Sequence, residues 1–202
     1  MTRVPILFLP GSGASPEFWK PVAARLPARW PKTLFGWPGL GHEPHDPAIA
    51  GLDDLVAMVV ARMTEPVDLL AQSMGGVIAV RIALAHPRLV RRLVLSVTSG
   101  GVDMAAFGAS DWRDDYRKSF PNAAPWILEP RAAQPQPVER ITAPTFLVWG
   151  DADPISPLAV GRHLAERLPN ARLHVVKGGD HDLVQTHAEE VAPLIERHLA
   201  ED

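Results

Sequence analysis

The stretch VDLLAQSMGGVIAVRIALAH, residues 67–86, changes character at Ser73. The six residues before it form a short apolar run of the kind that makes a buried strand, and the residues after it read as a helix over 74–85. With no loop between the two, the chain must turn sharply at Ser73, and such a turn lifts a side-chain hydroxyl above the edge of a sheet. Small residues two before (Ala71) and two after (Gly75), followed by Gly76, let the backbone fold tightly against its neighbours. The first amides of the helix then point at the same place, so the Met74 N–H can donate to negative charge developing there. The competing reading makes Ser73 an N-cap with glycine packing behind it.

Outward from this elbow the chain alternates between strand and helix. Apolar runs bounded by Gly or Pro predict strands at 4–9, 33–37, 67–72, 92–97, 145–149 and 172–177. Helical spacing predicts helices at 16–26, 52–63, 74–85, 157–168 and 187–200, as in Leu55, Val59 and Met63. That rhythm implies an α/β fold, a three-layer α/β/α sandwich around a mostly parallel six-stranded sheet with right-handed crossovers. Ligands bind beyond the carboxyl ends of such strands. Residues 98–143 break the rhythm with a connection rich in Pro, Ala and aromatics, which reads as a short lid. Its Pro-rich part, 129–139, reads as the return from that lid, so the whole of 1–202 is expected to be one domain.

Composition narrows the function. At 202 residues, 47% apolar and 21% charged, the chain has the make-up of a globular domain. A net charge of −3 with scattered Lys and Arg leaves no basic stripe for nucleic acid. Cysteine is absent, which excludes thiolate nucleophiles and Cys-ligated metals, so a nucleophile must be an oxygen or an amine. The N-terminal apolar run stops at Pro10-Gly11 and lacks a cleavage site, which suits a buried first strand better than a leader. No apolar stretch approaches the roughly 18 residues that cross a bilayer, and a cytoplasmic protein with a small-molecule partner is expected.

A serine hydroxyl needs a base, and the base needs an acid to fix its tautomer. The strand TFLVW (145–149) ends in GDADPISP, with Asp153 three residues past Gly150. The strand LHVVK (173–177) ends in GGDHDL, with His181 on the loop. In a parallel sheet all three residues emerge at one edge in the order Ser, Asp, His. Among the eight histidines, only His181 follows the last strand on a Gly-rich loop.

From about residue 4 to residue 199 the chain resembles the α/β-hydrolase superfamily. The elbow A-Q-S-M-G matches that family's G-x-S-x-G with Ala71 at the first position. LPGSGASPEFW (9–19) is similar to its first βα loop, where His-Gly-x supplies a second oxyanion amide; Pro10 replaces the His. The resemblance implies the Ser12 amide as that donor, with Gly11 beside the substrate. GWPGLG (36–41) is similar to the family's D-x-P-G-x-G turn, with Gly36 where Asp is common. Asp151, Asp180 and Asp182 compete for the acid position, and the family spacing favours Asp153. Members usually begin with extra antiparallel strands and carry a larger cap, so this chain looks like a pared-down member that starts at the family's third strand.

The resemblance implies a serine hydrolase that cleaves a small ester or lactone through an acyl-enzyme on Ser73, without cofactor or metal. Same-fold C–C bond hydrolases, perhydrolases and lyases use the same triad, and a non-catalytic ligand-binding member would keep the pocket. Other readings of the residues are weaker. Gly11-x-Gly13 after a strand invites dinucleotide binding, but no acid closes the second strand. His42-Glu43-Pro44-His45-Asp46 carries metal-ligating side chains, but Pro44 prevents a helix that sets the two His one turn apart. In the insert, Trp112, Tyr116 and Phe120 recur every four residues and so share one helix face. That face either packs the lid down or walls a site for an apolar substrate group.

Overall fold

The computed structural model describes residues 3–129 and 135–201, so part of the predicted lid return, 130–134, lies outside the described residues. Six strands form one parallel sheet: β1 (Ile6–Leu9), β2 (Lys32–Leu34), β3 (Val67–Gln72), β4 (Val90–Ser96), β5 (Thr145–Gly150) and β6 (Ala171–Val176). Their spatial order is β2-β1-β3-β4-β5-β6. One row of paired residues, Leu9, Ala71, Leu95, Leu147 and Leu173, runs from β1 to β6. The first four of these are fully buried. Strands covered on both faces are apolar on both faces along their middles, which is why β1 and the centres of β3, β4 and β5 read as apolar runs. β6, at the edge, instead mixes exposed and buried positions.

Helices cover both faces: α1 (Lys20–Ala23), α2 (Leu52–Val60), α3 (Met74–Ala85), α5 (Leu158–Arg167), α6 (Leu183–Thr186) and α7 (Ala188–Ala200), with α4 (Arg113–Ser119) in the insert. α3 is apolar nearly all round and buries Gly75, Gly76, Ile78, Ala79, Val80, Ile82 and Ala83. α7 buries only the stripe that contains Val191, Ile195 and Leu199.

Three segments depart from the sequence reading. The helix expected over 16–26 is a 3₁₀ turn, Pro16–Trp19, running into the single α-turn of α1. Pro16, Pro21 and Pro27 carry no N–H, so apolar spacing there cannot support a longer ladder. The strand expected at 33–37 occupies only Lys32–Leu34. Phe35 still donates to the Phe8 carbonyl at 3.0 Å, after which the chain leaves the sheet toward a turn with Gly39 and Gly41 at positive φ. α4 spans 113–119, with Trp112 and Phe120 as its caps rather than inside it.

At the amino-terminal edge of the sheet, Asp68 is fully buried and accepts from two arginines. Arg3 reaches it at 2.6 Å, and Arg91 binds both carboxylate oxygens at 2.9 and 2.7 Å. Arg91 also donates to the Leu199 carbonyl at 2.7 Å, which ties the end of α7 to β3 and β4. The sheet reverses its winding between β1 and β3, so their carboxyl ends open a crevice at the opposite edge.

Candidate active site

Ser73 sits between β3 and α3 at φ 51° and ψ −121°, a conformation that side chains with a Cβ rarely adopt. The surrounding contacts hold it there. The Ser73 N–H donates to the Ser96 carbonyl at 3.0 Å, and the Thr98 hydroxyl donates to the Ser73 carbonyl at 2.6 Å. A Cβ on Gly75 would overlap the Leu9 and Pro10 carbonyls, and one on Gly76 would overlap Thr98. Both glycines are therefore required by close approach of α3 to β1 and to the loop after β4.

Two loops bring a carboxylate and an imidazole to Ser73. A Cβ on Gly150 would overlap the backbone of Gly179, so the ends of β5 and β6 touch. The Asp151 and Ala152 amides donate across this contact to the Val176 and Gly179 carbonyls at 3.3 and 3.0 Å. Asp151 itself accepts from the Gly178 N–H at 2.6 Å and serves the loop. Asp153 is 5% exposed, and its Oδ1 accepts from the Ile155 and Ser156 amides at 2.8 and 3.0 Å. Its Oδ2 lies 2.8 Å from His181 Nδ1, and His181 Nε2 lies 2.9 Å from Ser73 Oγ. Two amides donate to Asp153 Oδ1, and a carboxylate only accepts, so the proton between Oδ2 and the ring is assigned to Nδ1, leaving Nε2 free to accept from the hydroxyl. An imidazole so oriented can accept a proton from a hydroxyl.

Ser12 and Gly11 line a cavity of about 180 Å³ beside Ser73 and His181. Phe18, Gln72, Asp182 and Gln185 also line it, and the sequence reading did not assign them there. Phe18 adjoins the predicted Ser12 loop and Gln72 immediately precedes Ser73, so sequence position was the available signal. Gln72 also holds the imidazole loop, because its Nε2 donates to the His181 carbonyl at 3.0 Å. Burial pushes the Asp182 carboxyl above its usual range; His181 opposes this, and Asp180 and Asp153 add to it. Neither the Ser12 nor the Met74 N–H has an acceptor among the described residues.

Trp112, Tyr116 and Phe120 pack on one another, with ring centroids 5.4 and 4.8 Å apart, and none of them lines this cavity. Phe120 meets His42 at 4.9 Å, and His45 Nε2 lies 3.0 Å from the Asn122 carbonyl. The His42–Asp46 loop therefore contacts the lid. Among the described residues no group of three or more His, Asp or Glu is arranged to hold a metal. No helix among them is long and apolar enough to cross a membrane.

A doubly wound parallel sheet that carries a strained serine at a strand-to-helix elbow, with a histidine and an aspartate converging from later strand ends, defines a hydrolase of the α/β type. A model of the alpha/beta hydrolase family matches residues 6–194, and the chain belongs to that family. Over 94% of its length it is 27% identical to the pimeloyl-(acyl-carrier protein) methyl ester esterase of Neisseria meningitidis serogroup A, covering 74% of that protein. It is also 27% identical to the poly(3-hydroxyalkanoate) depolymerase of Ectopseudomonas oleovorans, covering 98% of this chain and 85% of the other. An esterase from Exiguobacterium antarcticum has the same fold, with a TM-score of 0.80, 17% identity and coverage of 99% and 93%.

Proposed function

We propose that this enzyme hydrolyses small carboxylic esters or lactones through an acyl-enzyme on Ser73. The observation that carries the reading is the continuous hydrogen-bonded line from Ser73 Oγ through His181 to the buried Asp153. Ser73 Oγ attacks the carbonyl carbon while His181 Nε2 takes its proton, and Asp153 stabilises the imidazolium that forms. The tetrahedral oxyanion accepts from the Met74 and Ser12 amides, both without another acceptor among the described residues. Collapse breaks the bond to the alkoxy group, which leaves with the proton from His181. Water, deprotonated by the same imidazole, then attacks the acyl-enzyme and releases the acid.

Ester chemistry is supported by the relatives, two of which are named for cleaving ester linkages. Small size is supported by the cavity, whose roughly 180 Å³ lies below the 300 Å³ or more typical of drug-sized ligands. Acid-quenched mixtures with excess p-nitrophenyl acetate test the reading. An acetyl group is expected on the peptide that contains Ser73, and Ser73→Ala is expected to lose turnover. Undiminished hydrolysis by Ser73→Ala would overturn it.

A further inference from the structure

The lid touches the candidate oxyanion loop through one hydroxyl. Tyr116 projects from α4 and is 7% exposed. Its Oη donates to the Ser12 carbonyl at 2.8 Å and accepts from the Gly41 N–H at 2.9 Å. It thus bridges the loop after β1 and the turn after β2, which already press together, since a Cβ on Gly41 would overlap the Gly13 carbonyl. Burial pushes the Tyr116 hydroxyl above the usual phenol range, against the Gly41 hydrogen bond, so it stays a donor.

The rest of the loop is held on either side of Ser12. A turn from the Ala14 N–H to the Gly11 carbonyl at 3.0 Å closes the loop, and Trp37 holds its two ends. The Trp37 indole donates to the Pro10 carbonyl at 2.8 Å, and the Trp37 amide donates to the Ala14 carbonyl at 3.2 Å. Between these ends, Gly13 is exposed with nothing within 4 Å of where a Cβ would stand, and Ala14 is at φ 69°. Tyr116 supplies the Ser12 carbonyl's one hydrogen bond among the described residues.

We infer that Tyr116 is a positioning residue: by holding the Ser12 carbonyl, the lid fixes the Ser12–Gly13 peptide, and with the Gly11 carbonyl held by the Ala14 N–H this restricts the two Ser12 backbone torsions and so the direction in which the Ser12 N–H points at the oxyanion. The inference rests on the proposed roles of Ser73 and Ser12. A donor aimed at the tetrahedral oxygen acts in the transition state more than in substrate binding. Its misalignment should therefore lower kcat and leave KM nearly unchanged. Tyr116 also makes the seated lid a condition of a formed oxyanion site, although its ring lines no part of the cavity.

Tyr116→Phe keeps the ring packing and removes only the bridge. Three readouts on the folded variant separate the outcomes: amide hydrogen exchange over 11–15 and at Gly41, steady-state kinetics on p-nitrophenyl acetate, and affinity for a small alkyl boronic acid that forms a tetrahedral adduct on serine. The expected result is faster exchange in both segments, a kcat lower by about tenfold or more, and boronate affinity weakened by a similar factor. KM should be little changed. Unchanged exchange overturns the inference whatever the kinetics show. Faster exchange with unchanged kcat and boronate affinity also overturns it, because a loosened Ser12 amide would then not matter to the oxyanion. A wild-type protein that neither binds boronate nor needs Ser73 instead removes the functional reading beneath it, and the inference with it.

Discussion

Ser73 carries backbone strain, and the proposed nucleophilic role gives that strain a use. A non-glycine residue at φ 51° costs on the order of 1–3 kcal/mol, and glycine relieves it. Ser73→Gly should therefore abolish activity and yet raise Tm above that of Ser73→Ala by a few degrees, measured calorimetrically. Equal Tm values would mean the elbow holds no strain. The neighbouring acids make a second contrast. Asp153→Asn should keep the fold and lower kcat by on the order of 10⁴, the size seen when the triad carboxylate of a serine protease becomes an amide. Asp151→Asn, altering a residue bonded to the Gly178 amide and not to His181, should be mild. The reverse ranking in kcat would exchange their roles. Sequence favoured Asp153 mainly through family spacing. What it did not contain was the pair of amides on Oδ1, which follow from the turn at Ile155 and Ser156.

At the scale of elements, glycines decide how close the loops come. Gly150→Ala must push β5 and β6 apart at their carboxyl ends, so kcat and Tm should fall together, the latter reflecting roughly 1–3 kcal/mol of overpacking. A loss of stability with kcat intact would show that the Asp153–His181 contact does not depend on this approach. The buried strands and most helices were legible because a strand covered on both faces is apolar along its middle, as β3 is at Leu69–Ala71 and β5 at Phe146–Trp149. The segment over 16–26 was misread because its apolar spacing suits a helix while its prolines forbid a long one. The aromatic trio shows a different limit. Spacing put Trp112, Tyr116 and Phe120 on one face, but a hydroxyl's partners 104 and 75 residues away, at Ser12 and Gly41, leave no mark in a local pattern.

Across the whole molecule, pH and pocket size each make a measurable claim. His198, on α7, donates from Nε2 to the Leu93 carbonyl at 3.2 Å, and its Nδ1 has no partner among the described residues. Burial lowers its pKa from 6.5 to about 4, with Arg92 and Arg172 in the same direction and the Leu93 bond and Glu201 opposing. Between those values the unfolded chain binds a proton that the folded chain refuses. Stability is therefore fully present above pH 6.5 and falls as pH drops toward 4, by no more than about 3 kcal/mol. His198→Gln, which cannot titrate, should flatten the Tm profile in that window, and an unchanged slope would assign the loss to other groups. The cavity sets the second claim. Each methylene gains about 0.8 kcal/mol only where it finds buried apolar surface, and a space of about 180 Å³ has little beyond a short acyl chain. p-Nitrophenyl acetate or butyrate should have higher kcat/KM than the decanoate; a maximum at long chains would require an open groove.

The central claim is that Ser73 is a nucleophile activated by His181 and Asp153, and covalent labelling with a fluorophosphonate, read by mass spectrometry of the digested protein, tests it most directly. The expected result is one adduct per chain on the peptide that contains Ser73, absent in Ser73→Ala and much slower to form in Asp153→Asn. No adduct on the folded wild-type protein, or labelling that persists in Ser73→Ala, would contradict it.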